Sequence, residues 1–347
     1  MRRRYLIRKQ MGLTLVELMI SVALSLLLLS GVMVLFASNK TTYRMQEGLS
    51  TVQETGRYAL TMMKRDINTA GYAGCLSSSD QLRPVLLASS PLSSITEYSE
   101  GRMVAGENDV SGLVIESEPV ANGTDVLRVR GPLDSAVFYL DTAIFPVGTL
   151  VVAGDASAFA VGDYLVISDC VNTEIFKASS VSVTAGPPSF TTIGHDGSQN
   201  IRGGSFQTKL DGNSVVARVS SHTYFISDSS WTNSSGAAVR SLYRATGDGS
   251  PEEILQGVED MQVTYGIDSN GNGDADSFLD AASVSDWTQV VSVHVSLLVN
   301  SVDDASDTPA NYVYSPVGSN PIAPASSTDR LMRQEFTALV TARNNVL

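Results

Sequence analysis

The chain has little of what most active sites are made from. Its 347 residues include two cysteines, three histidines and two tryptophans. Two cysteines exclude a disulfide-dense scaffold. Neither Cys75 nor Cys170 belongs to a C-x-x-C or lies near a histidine in sequence, so a metal site at the cysteines is not expected. His195, His222 and His294 are scattered. No H-E-x-x-H, G-x-S-x-G or Walker pattern is present, so the sequence offers no catalytic constellation and reads as a non-enzyme. Basic residues are also scarce. Lys and Arg number 23 against 36 Asp and Glu, for a net charge of −13. That balance removes the basic surface that nucleic-acid binding needs, so nucleic acid is not expected as a partner.

What is present concentrates at the start. Residues 1–12 form a basic leader with Arg2, Arg3, Arg4, Arg8 and Lys9, ending in Gly12. An apolar run follows from Leu13 to Ala37, and its only charge is Glu17. Such a run is long enough to span a bilayer as a helix. The positive-inside rule keeps the leader cytoplasmic and places the rest on the far side. An ordinary secretory signal would have a shorter apolar core with a small-residue cleavage site after it, whereas Gly12 comes before the run. A carboxylate within such a helix is costly and marks function, with a partner to be named. Cleavage after Gly12 would expose an α-amine at Leu13, and the amine of one subunit could meet Glu17 of its neighbour. Loss of the five basic leader residues would leave a net charge of −18, which suits an exported soluble domain.

The run Gly12, Leu13, Thr14-Leu15-Val16-Glu17-Leu18-Met19 resembles the type IV prepilin signature. The resemblance implies that a prepilin peptidase cuts after Gly12 and methylates the new N-terminus at Leu13. It also implies that Glu17 aligns subunits in a helical filament. Leu13 stands where most members of that superfamily have Phe.

Beyond Ala37 the helix continues as an amphipathic one. Met45, Leu49, Val52, Ala59, Met63 and Ile67 recur at helical spacing, with Gly56 on the same stripe. One helix is expected from about Thr14 to Asn68. Gly31 is its weak point, and the segment from Gly71 to Cys75 is its end. The rest of the chain, 70–347, reads as one β-rich domain. Residues 261–267, 291–299 and 336–342 alternate apolar with polar or small, as half-buried antiparallel strands do. Further strands are expected at 124–130, 148–153, 163–169, 215–227 and 239–244. Residues 300–330, with four prolines, read as a long loop. Fold class is α+β, pilin-like: a long N-terminal helix packed on a large antiparallel sheet domain. In an oxidising compartment Cys75 and Cys170 read as a disulfide, with two buried thiols as the alternative.

Several segments resemble the PilW family of minor type IV pilins. They are Ala70-Gly71-Tyr72-Ala73-Gly74-Cys75, Ser168-Asp169-Cys170, Leu242-Tyr243-Arg244, the run from Gly257 to Asp268, Trp287, and Arg333-Gln334-Glu335-Phe336-Thr337. Residues 80–160 carry little of the likeness. The resemblance implies a single-pass protein of the bacterial inner membrane with a periplasmic domain. It would later join the pilus tip and help prime assembly. Implied partners are other minor pilins and the major pilin, the prepilin peptidase, the inner-membrane assembly platform and a tip adhesin. The competing readings are the J-type minor pseudopilin of type II secretion and a calcium-dependent tip adhesin.

One segment has the pattern of a cation site. Asp268, Asn270, Asn272, Asp274 and Asp276 place oxygen donors at every second position, with Gly273 in the sixth place. That pattern resembles a calcium loop. It lacks the bidentate Glu at the twelfth position, where Leu279 stands. The other reading is a polar Asn/Gly/Asp hairpin turn.

Overall fold

A computed structural model describes residues 14–72, 85–133, 136–142, 149–169, 171–212, 214–309, 312–316 and 329–345. The long helix spans Leu15–Thr69 without a break and passes straight through Gly31. No proline interrupts it, and a capping box at Thr14 and Glu17 starts it. It stops where Ala70 turns extended and Gly71 takes φ +72°. Gly71 then donates its N–H to Arg130 O at 2.9 Å.

The helix has two different halves. From Leu15 to Phe36 every residue is exposed. In the second half Val52, Gly56, Ala59, Met63, Asp66 and Ile67 are buried. Met45 and Leu49, placed on the stripe by their spacing, stay exposed because the sheets begin farther along.

Two antiparallel sheets take up the buried stripe. One has the order Ser277–Asp280, Val258–Ile267, Val290–Asn300, Arg333–Thr341. The other runs Glu252–Gln256, Ala238–Thr246, Ser220–Thr232, Val126–Gly131, Val104–Glu107. Val263, Tyr265, Val293, Val295 and Leu297 of the first sheet and Leu127, Val129, Tyr224, Ile226 and Leu242 of the second form one core with Val52, Ala59, Met63 and Ile67. The alternation at 261–267 and 291–299 thus marks real strands, but the polar side is not left to water. Gln262, Thr264, Ser292 and Ser296 are buried as well. Gln262 donates to Gly123 O at 3.0 Å, and Asp125 receives the N–H of Val263 at 2.7 Å, so the loop before Val126 covers that face. Residues 215–227 form two strands, Val215–Arg218 and Ser220–Thr232, which belong to different sheets.

Between Val126–Gly131 and Ser220–Thr232, which are paired neighbours, the chain makes a long excursion. It builds a lobe with its own core, including Leu150, Phe159, Leu165, Ile167, Phe176, Ile193 and Val216. Its larger sheet has the order Val85–Leu86, Thr173–Lys177, Tyr164–Ser168, Val215–Arg218, Phe138–Tyr139. Val85–Leu86 runs parallel to Thr173–Lys177, while the other strand pairs described are antiparallel, as expected. Alternate residues of this sheet, Tyr164, Val166, Ile175 and Ala217, face the main core. A sheet buried on both faces has no polar side, so Tyr164–Ser168 is buried throughout.

Candidate functional site

The chemistry of this chain gathers along its helix. At the N-terminal end Thr14 Oγ1 accepts the Glu17 N–H at 3.3 Å, and Glu17 Oε2 accepts the Thr14 N–H and hydroxyl, each at 2.9 Å. Glu17 therefore has a partner within its own chain: it caps the helix that carries it. Gly12 and Leu13 lie outside the described residues.

The far end of the helix is locked to the head by a buried polar cluster. Asp66, 3 % exposed, is reached by His222 Nδ1 at 2.6 Å and by the Tyr224 hydroxyl at 2.5 Å. Burial and the adjacent Asp66 carboxylate push the Tyr224 phenol far up. The Asn344 side-chain amide donates hydrogen bonds to the carbonyls of Asn68 and Ala70, the latter at 2.8 Å. Midway, Gly56 lets Phe336 lie flat on the helix; a methyl there would overlap the ring. Nearer the apolar half, Asp307 accepts from Thr41 at 2.6 Å and from Arg44 at 2.8 Å. Arg333 is gripped by Glu259 at 2.6 Å and Asp329 at 2.7 Å. That grip gives a physical role to two of the segments whose likeness was noted in the sequence.

Sequence reading missed Asp66, His222 and Tyr224 as a unit. A signal existed: Asp66 sits three residues after Met63 and seven after Ala59, on the buried side of the stripe. His222 and Tyr224, two apart on one strand, point the same way. The cluster is sealed from solvent and holds its partners in place, so its chemistry is structural. The other histidines serve elsewhere. His195 is buried beside the Phe206 and Phe176 rings, with Nδ1 2.7 Å from Gly204 O. His294 is half-buried, and desolvation lowers its pKa.

The segment 268–276 is the turn of the hairpin between Val258–Ile267 and Ser277–Asp280. Asp268 lies at its centre. Its carboxylate accepts the N–H groups of Gly271 and Gly273 at 2.7 Å, and of Asn270 and Asn272 at 3.2 Å. These bonds, Gly273 first, hold its pKa below the ordinary carboxylate value. Asp276 accepts from Asn270 Nδ2 at 2.7 Å and from the Ser269 hydroxyl at 2.6 Å. Asn272 Oδ1 accepts the Asp274 N–H at 2.9 Å. The donors suit a hard cation, but this turn closes on its own hydrogen bonds. Among the described residues no group of three or more His, Cys, Asp or Glu side chains converges to hold a metal. Cys75 and Cys170 both lie outside the described residues.

The helix Leu15–Thr69 is long and apolar enough to cross a membrane, and its apolar half is not buried in the head. No curated protein and no solved structure matches the chain. Residues 223–344 match the family model of PilW, Type IV Pilus-assembly protein W. That region holds Tyr224, Phe336 and Asn344, groups that seat the helix, and it stops short of the lobe and the helix itself. Over residues 223–344 the chain is thus similar to the PilW family, and the match supports a part in type IV pilus assembly.

Proposed function

We propose that the chain is a minor pilin that helps prime type IV pilus assembly and takes its place in the tip complex. The observation that carries this reading is the contrast in size within one subunit. A single apolar half-helix, exposed from Leu15 to Phe36, carries a head of two sheets with a further lobe inserted. Such a head is awkward to repeat every few ångströms along a filament but fits at an end. Prepilin peptidase cuts after Gly12. The new amine at Leu13 and the Glu17 carboxylate then become the two halves of an intersubunit contact. Until a neighbour arrives, Thr14 keeps Glu17 satisfied. Before assembly the chain waits in the inner membrane with its head in the periplasm. Its partners there are other minor pilins, the major pilin and the assembly platform.

Deleting the protein should reduce surface pili without lowering the level of the major pilin. Removing the retraction motor as well should restore some filaments, because rare starts are no longer pulled back. Immunogold label spread evenly along the shaft would contradict the tip position. Normal piliation with a secretion defect would assign the chain to the J-type pseudopilins instead.

Two finer points belong to the same reading. Cys75 and Cys170 form a disulfide; in support, residues 73–84 lead into Val85–Leu86, which pairs with the strand that begins just after Cys170. Two alkylatable thiols in the unreduced protein would exclude it. Calcium is the proposed occupant of the 268–276 turn, favoured by Asp268, held ionised among the oxygens of Asn270 and Asn272. Binding would require Ser269 and Asn270 to release Asp276, so affinity is weak. Millimolar calcium should raise the melting temperature slightly over chelator, and an unchanged value removes the ion.

A further inference from the structure

The helix and the strand Val290–Asn300 run antiparallel, and their contacts make a ruler. A methyl on Gly48 would come within 2.9 Å of Ala305 and 3.4 Å of Ser301. Gly56 lies on Phe336, whose register partner is Leu297. From Gly48 to Gly56 the helix rises ~12 Å. From Ser301 back to Leu297 a strand covers ~13 Å. The two agree, so the Ser301 end of the head is the end nearest the apolar half.

The hairpin of Ser220–Thr232 and Ala238–Thr246 runs the same way. It begins at His222 and Tyr224, beside Asp66 near the far end of the helix. It passes Arg240, whose carbonyl receives the Gly257 N–H, and Gly257 in turn receives the Asn300 N–H. It then continues to its turn at 233–237. There Ser234 donates its N–H to Asp303 Oδ1 at 2.8 Å. Four residues on from Asp303, Asp307 holds Thr41 and Arg44. The hairpin tip therefore lies level with the first helical turns after the apolar run, which ends at Ala37. Thr41 is ~6 Å beyond that end by helical rise. That distance falls within the headgroup layer, which adds ~5–7 Å to each side of the hydrocarbon core.

Two large aromatic rings are exposed toward this end of the head: Tyr43, two residues past Thr41 on the helix, at 66 %, and Trp231, the residue before the Thr232–Ala238 pair at the end of the hairpin, at 68 %. Residues 229–238, Ser-Ser-Trp-Thr-Asn-Ser-Ser-Gly-Ala-Ala, carry no charge in a chain of net −13. An anionic bilayer repels an acidic head; the tip itself adds no charge, and of the acidic residues beside it Asp307 is paired with Arg44. Trp and Tyr favour the water–lipid boundary because each ring pairs an apolar body with a polar handle.

We propose that the hairpin tip, through Trp231 and with Tyr43 on the helix, rests in the headgroup layer of the membrane that the helix crosses. The contact rests on the reading of Leu15 to Ala37 as a span before assembly. It gives the head a second foothold and fixes its tilt over the bilayer, and extraction into a filament breaks it.

The test uses the full-length chain in vesicles of phosphatidylethanolamine and phosphatidylglycerol with brominated acyl chains. Bromines near the headgroup should quench tryptophan emission more than bromines near the chain ends, and Trp231→Phe should lose most of that quenching. A Trp287→Phe chain should keep it; because Trp287 packs on Tyr265, the Trp231→Phe comparison decides if that variant folds poorly. Chains that float with the vesicles yet show equal quenching with and without Trp231 would overturn the contact and leave the span intact. Blue-shifted but unquenched Trp231 emission would place the ring against protein, such as a neighbour's helix, and also overturns it. A chain that fails to float removes the span and the contact together.

Discussion

Along its first half the long helix is exposed on every side, whereas in its second half one stripe, Val52, Gly56, Ala59, Met63, Asp66 and Ile67, is buried in the head. The two halves share one backbone and one direction. They differ in the arrangement of apolar residues. The first half is apolar all round, which suits lipid or a bundle of like helices. The second half has a stripe, and its matching surface is supplied by the same chain. The composition of a helix thus tells which of its partners are covalently attached and which must be met.

Substitutions can break that division. The largest effect on the head is expected from Asp66→Ala. It removes from the core the carboxylate that His222 and Tyr224 both reach, and each buried group that loses its hydrogen bond costs about 1–3 kcal/mol. Chemical denaturation of the full chain in detergent should show the loss. Asp66→Asn, which keeps an acceptor for Tyr224, should recover part of it. Gly56→Ala comes next. The added methyl overlaps the Phe336 ring, and overpacking costs about 1–3 kcal/mol. Phe336→Leu in the same chain should relieve it, and the double variant should melt above the single one.

A smaller effect concerns the seat itself, which is sewn from two sheets. Asp125 is buried between them and accepts the N–H groups of Asp109 and Val263. Burial, reinforced by the Asp109 and Asp260 carboxylates, pushes its pKa up to about 7, and burial pushes Asp260 up to about 6. A carboxyl raised on folding holds its proton more tightly in the folded chain. Its contribution is complete below about pH 4. It is then lost as pH rises through about 7. The denaturation midpoint should therefore fall between pH 5 and 8. Asp125→Asn should lower the midpoint throughout and flatten that slope; an unchanged slope would show that the group does not titrate in the fold.

The smallest effect on the head belongs to Glu17→Ala. Melting of the head and membrane insertion should match the unaltered chain, while incorporation into pili falls. A variant that still enters pili normally would end the role given to this carboxylate.

The helix and the main strands were legible because each shows a period, 3.6 along Val52 to Ile67 and 2 along Val291 to Val299. The lobe was not. Tyr164–Ser168 is buried on both faces and so shows no alternation. Val85–Leu86 finds its partner nearly ninety residues away, at Glu174 and Ile175. No local pattern announces such a pairing. The polar side of Val258–Ile267 was read as facing water because Gln262 and Thr264 are hydrophilic, but distant Gly123 and Asp125 supply their cover. Glu17 was legible as a carboxylate out of place. Its bond to Thr14 follows from helix-start spacing, which the membrane reading overshadowed.

The lobe leaves the main body at Gly131 and returns at Ser220, and these two residues are register partners in adjacent strands. The excursion between them is, in effect, a very long hairpin turn. A graft there meets a stub that is already closed, so a different module could be exchanged into this position while the helix seat stays as it is. Among the described residues, Val85–Leu86 is the one strand from outside the excursion that pairs with it and would need refitting. Descendants of such a chain can change what the lobe displays without altering how the helix is held.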